Sequence, residues 1–167
     1  MRNEDWKRAE DAYKRILAMQ PASAAALAGE RRSGRMLRLH QQIDVYLNDP
    51  DRLSSDEPLE HARRLLDTAR AGAGPGPRLS AAITRLDKLI ETASRPRPVV
   101  LKSDGETAVT IYRVARFGTL TLKRIELRPG KYTAVGSRPG FRDVRVEFRI
   151  PDSGDPTTVV VQCVERI

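Results

Sequence analysis

The hydrophobic pattern of the chain changes its period at Ser94-Arg95-Pro96-Arg97-Pro98, and this change constrains the fold more than any other feature. Before it, apolar residues recur at every third or fourth position, which predicts amphipathic helices. After it, apolar and polar residues alternate, which predicts strands with one buried face. The sequence therefore predicts an α+β protein with a helical domain at 1–94, a stiff linker at 95–98 and a β-domain at 99–167.

The first domain is predicted to contain four helices, at 4–20, 23–47, 59–71 and 77–93. Asn48-Asp49-Pro50 ends the second helix, and Gly29 and Gly34 weaken its first half. Ser54-Ser55-Asp56-Glu57-Pro58 is typical of a helix start, because it supplies a capping side chain and acidic first-turn residues. Gly72-Ala73-Gly74-Pro75-Gly76-Pro77 cannot continue a helix and is predicted to be a linker.

The second domain is predicted to contain six short strands, at 99–102, 108–114, 119–127, 131–136, 142–150 and 157–164. Turn residues such as Phe117-Gly118 and Pro129-Gly130 separate them. The alternation is clearest in the fifth strand, which places one set of side chains in the core: Val144, Val146, Phe148 and Ile150. Six strands at this spacing predict a small antiparallel β-sandwich.

The pattern Trp6-x2-Ala9-x3-Tyr13-x2-Ile16-x4-Pro21 resembles the second helix of a tetratricopeptide repeat, and Ala25–Gly29 would then begin the next repeat. In that family, small and aromatic residues at these offsets pack one helix against another. The resemblance implies helical hairpins that need neighbouring repeats to bury their faces. We therefore expect a C-terminal fragment of a longer protein, with further repeats and a membrane anchor upstream.

The stretch Leu127-Arg128-Pro129-Gly130-Lys131-Tyr132-Thr133 and the later Gly140-Phe141 step resemble PEGA-type β-domains of bacterial surface and envelope proteins. In that family, a Pro-Gly turn precedes a strand with an inward aromatic residue. The family's earlier Asp-Gly…Gly-Thr-Pro segment is missing, and Tyr112–Thr119 occupies that region. The resemblance implies an adhesive or scaffolding role in the cell envelope, on the periplasmic side, with a cytoplasmic location left open, and it brings no catalytic residues.

The chain has a net charge of +8, and residues 95–167 supply +6 of it, from 14 basic and 8 acidic side chains. This excess favours nucleic acid, anionic lipid or acidic glycopolymers as partners, although a GC-rich genome would also supply arginine. The candidate ligand-binding residues are basic and aromatic side chains of the β-domain: Arg113, Arg116, Phe117, Lys123, Arg124, Arg138, Arg142 and Arg145. The alternative is a dispersed, solvated face whose arginines pair with Glu126, Asp143 or Glu147 across strands.

The sequence carries no nucleophile-elbow, zinc-protease or phosphate-loop motif. His40 and His61 are expected to be ordinary helix-face histidines, the single Cys163 a buried apolar residue, and Asp104 and Glu106 solvated charges. We therefore predict a non-catalytic protein-interaction or scaffolding module of a bacterial cell-envelope protein, without a cofactor, whose partner is another protein of an envelope complex. Membrane contact is expected only through an anchor outside the chain. The alternative is a binder of acidic glycan, lipid headgroups or nucleic acid through the basic β-domain.

Overall fold

A computed structural model of the chain describes residues 5–72 and 76–167. Within these ranges, four α-helices and a 3-10 helix are followed by seven strands in two sheets, which confirms the α+β class. The described residues form two compact units. Of the described residues, the helical unit contains those up to Asp49 and those within Glu60–Leu89, and the β unit contains Pro50–Leu59 together with Ile90–Ile167.

The four predicted helices are all present, as α1 (Trp6–Met19), α2 (Ala24–Asn48), α3 (Asp56–Ala71) and α4 (Pro77–Ala93). Capping side chains fix two of the starts, because Asp5 accepts a hydrogen bond from the Arg8 amide at 3.0 Å and Ser23 accepts one from the Ala26 amide at 3.4 Å. The linker predicted at 72–77 lies partly outside the described residues. No helix in the described ranges is both long and apolar enough to cross a membrane.

Gly29 allows α1 and α2 to approach each other closely. The Tyr13 ring of α1 lies directly against Gly29, and a Cβ atom at that position would overlap the ring. The helix cost of this glycine is therefore accompanied by a close helix–helix contact, which a larger residue would allow only if the Tyr13 ring shifted. This contact explains why α2 continues through a region that sequence propensity alone predicts to be weak.

The first sheet has the strand order β4-β1-β7 and the second has the order β3-β2-β5-β6. All neighbouring strands are antiparallel except β1 and β7, which are parallel and so depart from the all-antiparallel expectation. The bounds are β1 (Arg97–Lys102), β2 (Ala108–Ile111), β3 (Ala115–Thr119), β4 (Leu122–Leu127), β5 (Gly130–Ser137), β6 (Val144–Ile150) and β7 (Thr157–Val160).

Both sheets bury apolar side chains in one shared core, in a sandwich-like arrangement. The alternation predicted along β6 is confirmed, because Ile150 is buried and Val144, Val146 and Phe148 pack against the core. Phe148 also stacks on Tyr132 of β5, with ring centroids 5.7 Å apart. Burial raises the pKa of the Tyr132 hydroxyl, which donates a hydrogen bond to a backbone carbonyl at 3.0 Å. The strands are thus held by side-chain packing between the sheets as well as by their ladders.

The region from 108 to 127 differs from the sequence prediction. The predicted strand at 108–114 ends at Ile111, and Tyr112, Arg113 and Val114 form a turn into β3, a strand that was not predicted. The predicted turn at Phe117-Gly118 lies inside β3 at an irregularity of the β2–β3 ladder, and the predicted strand at 119–127 is divided at Leu120-Thr121. The prediction failed because Arg113 adopts φ +62°, where a glycine would normally mark the turn.

The 3-10 helix Pro50–Ser54 belongs to the β unit through contacts with β5 and β6. Asp51 pairs with Arg149 at 2.9 Å and with Lys131 at 3.5 Å. Gly130 opens β5 with φ +145°, and a Cβ atom there would lie 2.8 Å from the Ser54 Cβ. The Pro-Gly turn therefore needs glycine for its backbone angle and for this close approach.

Candidate functional site

Three of the eight candidate residues are paired with carboxylates. Arg142 lies 3.1 Å from Glu165, and Arg145 lies 3.5 Å from Glu147. Arg138 pairs with Asp104 at 3.4 Å and also with Glu106. These three arginines are therefore partly neutralised by acidic side chains of the same unit.

Four candidate residues have no carboxylate partner among the residues that the structure describes: Arg113, Arg116, Lys123 and Arg124. All four side chains are exposed. Two of them lie over aromatic rings, since the Arg113 guanidinium carbon is 5.5 Å from the Tyr112 ring centroid and the Lys123 Nζ is 5.3 Å from that of Phe117. Their positive charge is thus available to an external anion.

These four cations lie on or next to the edge strands β3 and β4, and we call them the basic edge. Arg116 is on β3, the edge strand of the second sheet, while Lys123 and Arg124 are on β4, the edge strand of the first. Leu120-Thr121 connects the two strands, and Arg113 lies in the turn that leads into β3. The basic edge therefore extends across both sheets.

Side-chain direction differs among the cations of the basic edge. Arg116 is opposite Thr110 in the β2–β3 ladder. The two neighbours of Thr110 on β2, Val109 and Ile111, are buried, so Thr110 and Arg116 face outward from the second sheet. Arg124 is opposite Val100 in the β1–β4 ladder. The two neighbours of Val100 on β1, Val99 and Leu101, are buried, so Val100 and Arg124 face outward from the first sheet. Because the sheets share a core, these two side chains leave the unit on opposite faces.

Arg145 is separated from the basic edge by the width of the second sheet. A register row connects Arg116, Thr110, Val135 and Arg145 across the four strands. Three strand spacings amount to about 14 Å, so that Arg116 and Arg145 share a face without touching. The structure therefore places part of the predicted set on the edge strands β3 and β4 or beside them, and the rest on or near β6.

The turn between β2 and β3 contributes two residues that sequence reasoning missed. The exposed fractions of Tyr112 and Val114 are 64% and 41%. Arg113 between them holds the left-handed backbone at φ +62°. No glycine or asparagine marked the turn, so the alternation from Ala108 to Val114 fitted a strand equally well.

Asp104 has a structural environment that contradicts the expectation of a solvated charge. Its carboxylate accepts hydrogen bonds from the Thr107 amide at 2.7 Å, the Thr107 hydroxyl at 3.0 Å and the Glu106 amide at 3.0 Å. The Thr107 amide, and to a lesser degree the Thr107 hydroxyl and Arg138, lower the pKa of Asp104. Glu106 pairs with Arg138 rather than standing alone in solvent.

Thr107 links the Asp104 carboxylate to the C-terminal segment of the chain. Its side chain is fully buried, and its hydroxyl accepts a hydrogen bond from the Cys163 amide at 3.1 Å. Arg138, which also contacts Asp104, lies over the Phe141 ring with its guanidinium carbon 4.1 Å from the ring centroid. Arg138 is therefore part of a structural network, which distinguishes it from the cations of the basic edge.

The histidines lie in the helical unit. The Tyr46 hydroxyl and the Nδ1 atom of His61 are 2.6 Å apart, and the two rings are tilted with centroids 5.9 Å apart. Within residues 5–72 and 76–167, no three or more His, Cys, Asp or Glu side chains are grouped so that they could hold a metal ion.

The basic edge offers guanidinium and ammonium donors beside aromatic ring faces, a combination that binds carboxylates and phosphates. No protein-family model matches this chain, and no curated protein matches it. The resemblances to tetratricopeptide repeats and to PEGA-type domains therefore stay predictions.

Proposed function

We propose that this chain is a non-catalytic interaction module of a bacterial cell-envelope protein, in which the basic edge of the β unit binds an anionic partner. The supporting observation is a contrast within one unit. Arg138, Arg142 and Arg145 have carboxylate neighbours, whereas the four cations of the basic edge have none among the described residues. Cations without an internal partner are available for external carboxylates or phosphates.

The leading partner is an acidic surface of another protein in an envelope complex. The envelope setting rests on the PEGA-like turn at Pro129-Gly130 and on the Gly140-Phe141 step. The close packing of Tyr13 on Gly29 supports a tetratricopeptide-like hairpin in the helical unit, which would present a second recognition surface.

The second candidate is an anionic polymer, such as acidic glycan, lipid headgroups or nucleic acid. The pair Arg113–Tyr112 favours it, because the exposed Tyr112 ring can contact the polymer while Arg113 binds a phosphate or carboxylate. The Phe117 ring, beside Lys123, is half-buried and packs against the core. Binding of a polymer is expected to fall steeply with salt. Binding of a protein through additional apolar contacts is expected to persist at moderate salt.

The experiment is a pull-down from bacterial envelope and cytosolic extracts at low and moderate salt with three proteins. One is the unmodified chain, and the second removes three basic-edge cations, as Arg116→Ala, Lys123→Ala and Arg124→Ala. The matched control removes three ion-paired cations, as Arg142→Ala, Arg145→Ala and Arg149→Ala. Both variants lose the same net charge, so that a difference between them reports position rather than total charge.

A partner captured by the unmodified chain and by the control, but lost from the basic-edge variant, is the expected result. Circular dichroism checks that both variants retain the secondary structure of the unmodified chain. Equal capture by all three proteins, or equal loss from both variants, would contradict the proposal.

A further inference from the structure

The β2–β3 turn combines exposed apolar groups with unpaired cations. Tyr112 is 64% exposed and Val114 is 41% exposed. Arg113 lies between them and Arg116 follows two residues later, and neither has a carboxylate partner in the described chain. The turn is thus amphipathic, with two apolar side chains bordered by positive charge.

Arg113 also keeps a backbone conformation that favours glycine, with φ +62°. Glycine at this position would relieve that strain. The Val114 amide closes the turn on the Ile111 carbonyl at 3.1 Å, so the left-handed backbone belongs to the turn itself. The sequence places a cation, rather than glycine, at this position.

We propose that the β2–β3 turn binds the surface of an anionic lipid bilayer, with Tyr112 and Val114 in the interface and Arg113 and Arg116 on headgroup phosphates. The proposal rests on the proposed function, because both arginines belong to the basic edge. It makes the chain itself a peripheral membrane contact.

The apolar pair favours lipid over the other anionic partners. A nucleic acid or acidic glycan could engage the cations and the Tyr112 ring, but it offers no apolar environment for the aliphatic Val114. A three-residue turn is small compared with the roughly 800 Å² that each partner buries in a stable protein–protein interface. A bilayer interface accepts an aromatic ring and a short aliphatic side chain while anionic headgroups attract the neighbouring cations.

The test is flotation of the full chain with vesicles of phosphatidylcholine containing phosphatidylglycerol, compared with vesicles of phosphatidylcholine alone. The double change Tyr112→Ser and Val114→Ser removes the apolar pair and is expected to lower partitioning about tenfold or more. Leu122→Ser and Val160→Ser form the matched control, since both residues are 55% exposed on the first sheet, away from the turn.

A further variant, Arg113→Gly, separates binding from folding. It is expected to lower partitioning about fivefold through loss of one near-surface cation, while thermal stability stays equal or rises. A fall in stability together with unchanged partitioning would show that Arg113 serves the fold, which overturns the proposal.

Three results would overturn the lipid assignment: no flotation of the unmodified chain with anionic vesicles, flotation of the turn variant equal to the unmodified chain, or an equal loss in the matched control. Capture of single-stranded nucleic acid or of an acidic protein that depends on Arg116 but not on Tyr112 and Val114 would also overturn it. In that case the basic edge would still bind an anionic partner, so the proposed function would survive. If no binding partner depended on Arg116, both the lipid assignment and the proposed function would be overturned.

Discussion

Thr107→Val removes one buried oxygen and little else, so that it tests the polar network of the β unit directly. Valine keeps the shape of threonine and replaces the hydroxyl with a methyl group. The Cys163 amide, which donates to the Thr107 hydroxyl at 3.1 Å, would lose its acceptor. Asp104 would lose one of the donors that hold its carboxylate.

The expected destabilisation follows from the Cys163 amide. This residue is 2% exposed and Thr107 is fully buried, so that water cannot easily replace the lost acceptor. A buried N–H group without a partner costs about 1 to 3 kcal/mol. Since 1.4 kcal/mol corresponds to a factor of about ten, the equilibrium for opening the segment around Cys163 should rise by roughly 5-fold to 150-fold.

Labelling of the Cys163 thiol measures this opening, because Cys163 is the single cysteine of the chain and is buried. Under native conditions the thiol reacts only when its segment opens, and the labelling rate then reports the opening equilibrium. The measurement follows the β unit alone, whereas a global melt would mix the two units.

Thr107→Ser provides the control, because it retains the hydroxyl and removes only a methyl group, at a cost of about 0.8 kcal/mol. The valine variant should therefore label faster than the serine variant. Labelling of Thr107→Val at the rate of the unmodified chain, or more slowly than Thr107→Ser, would refute the assignment of the hydroxyl as a structural acceptor.

Two further predictions concern acid stability and helix packing. The hydrogen bonds from Thr107 keep the pKa of Asp104 below its ordinary value of 3.8, so that their stabilisation is present above that value and is lost as pH falls through the lower, folded-state pKa. The urea concentration at the unfolding midpoint should fall for the unmodified chain when the pH is lowered from neutral to acidic, and it should fall less for Asp104→Asn. An equal fall in the two proteins would contradict a stabilising role for the Asp104 carboxylate. In the helical unit, Gly29→Ala should destabilise by up to about 2 kcal/mol, since displacing the Tyr13 ring costs about 1 to 3 kcal/mol and alanine gains about 1 kcal/mol in helix propensity. Adding Tyr13→Ala should recover part of that loss in thermal unfolding, and strictly additive losses would count against the contact.

The helices and most strands follow from local information. The boundaries of α1 and α4 depend on spacing, capping and proline, all of which act within a few residues. The inward face of β6 was predictable because one buried side makes every second residue apolar, and the structure buries Ile150 in that register.

The failures at Asp104 and at the turn after β2 have separate origins. The Asp104 carboxylate is held mainly by donors of Glu106 and Thr107, two and three residues away, so the local Asp-Gly-Glu-Thr pattern was a signal that the sequence prediction missed. Only the contacts of Arg138 with Asp104 and of Cys163 with Thr107 depend on residues far apart in the chain. The turn at Tyr112 was hidden because Arg113 adopts a glycine-like conformation.

Which candidate cations are ion-paired with carboxylates, and which are not, could not be predicted from the sequence. Arg116 and Arg142 are equally basic in the sequence, and they differ only because the fold places Glu165 beside the second. Pairing depends on strand order and on the path of the C-terminal segment, which composition does not encode.

The position of the 3-10 helix Pro50–Ser54 has a consequence for truncation and for biosynthesis. A fragment that starts at Arg95 would lack Asp51 and Ser54, and it would leave Lys131 and Arg149 without the carboxylate that they share. During synthesis, this segment leaves the ribosome long before β5 and β6, so that the β unit cannot be completed until nearly the whole chain has been made. Substitutions at Pro50–Leu59 should accordingly impair the sheets, although helices flank that segment in the sequence.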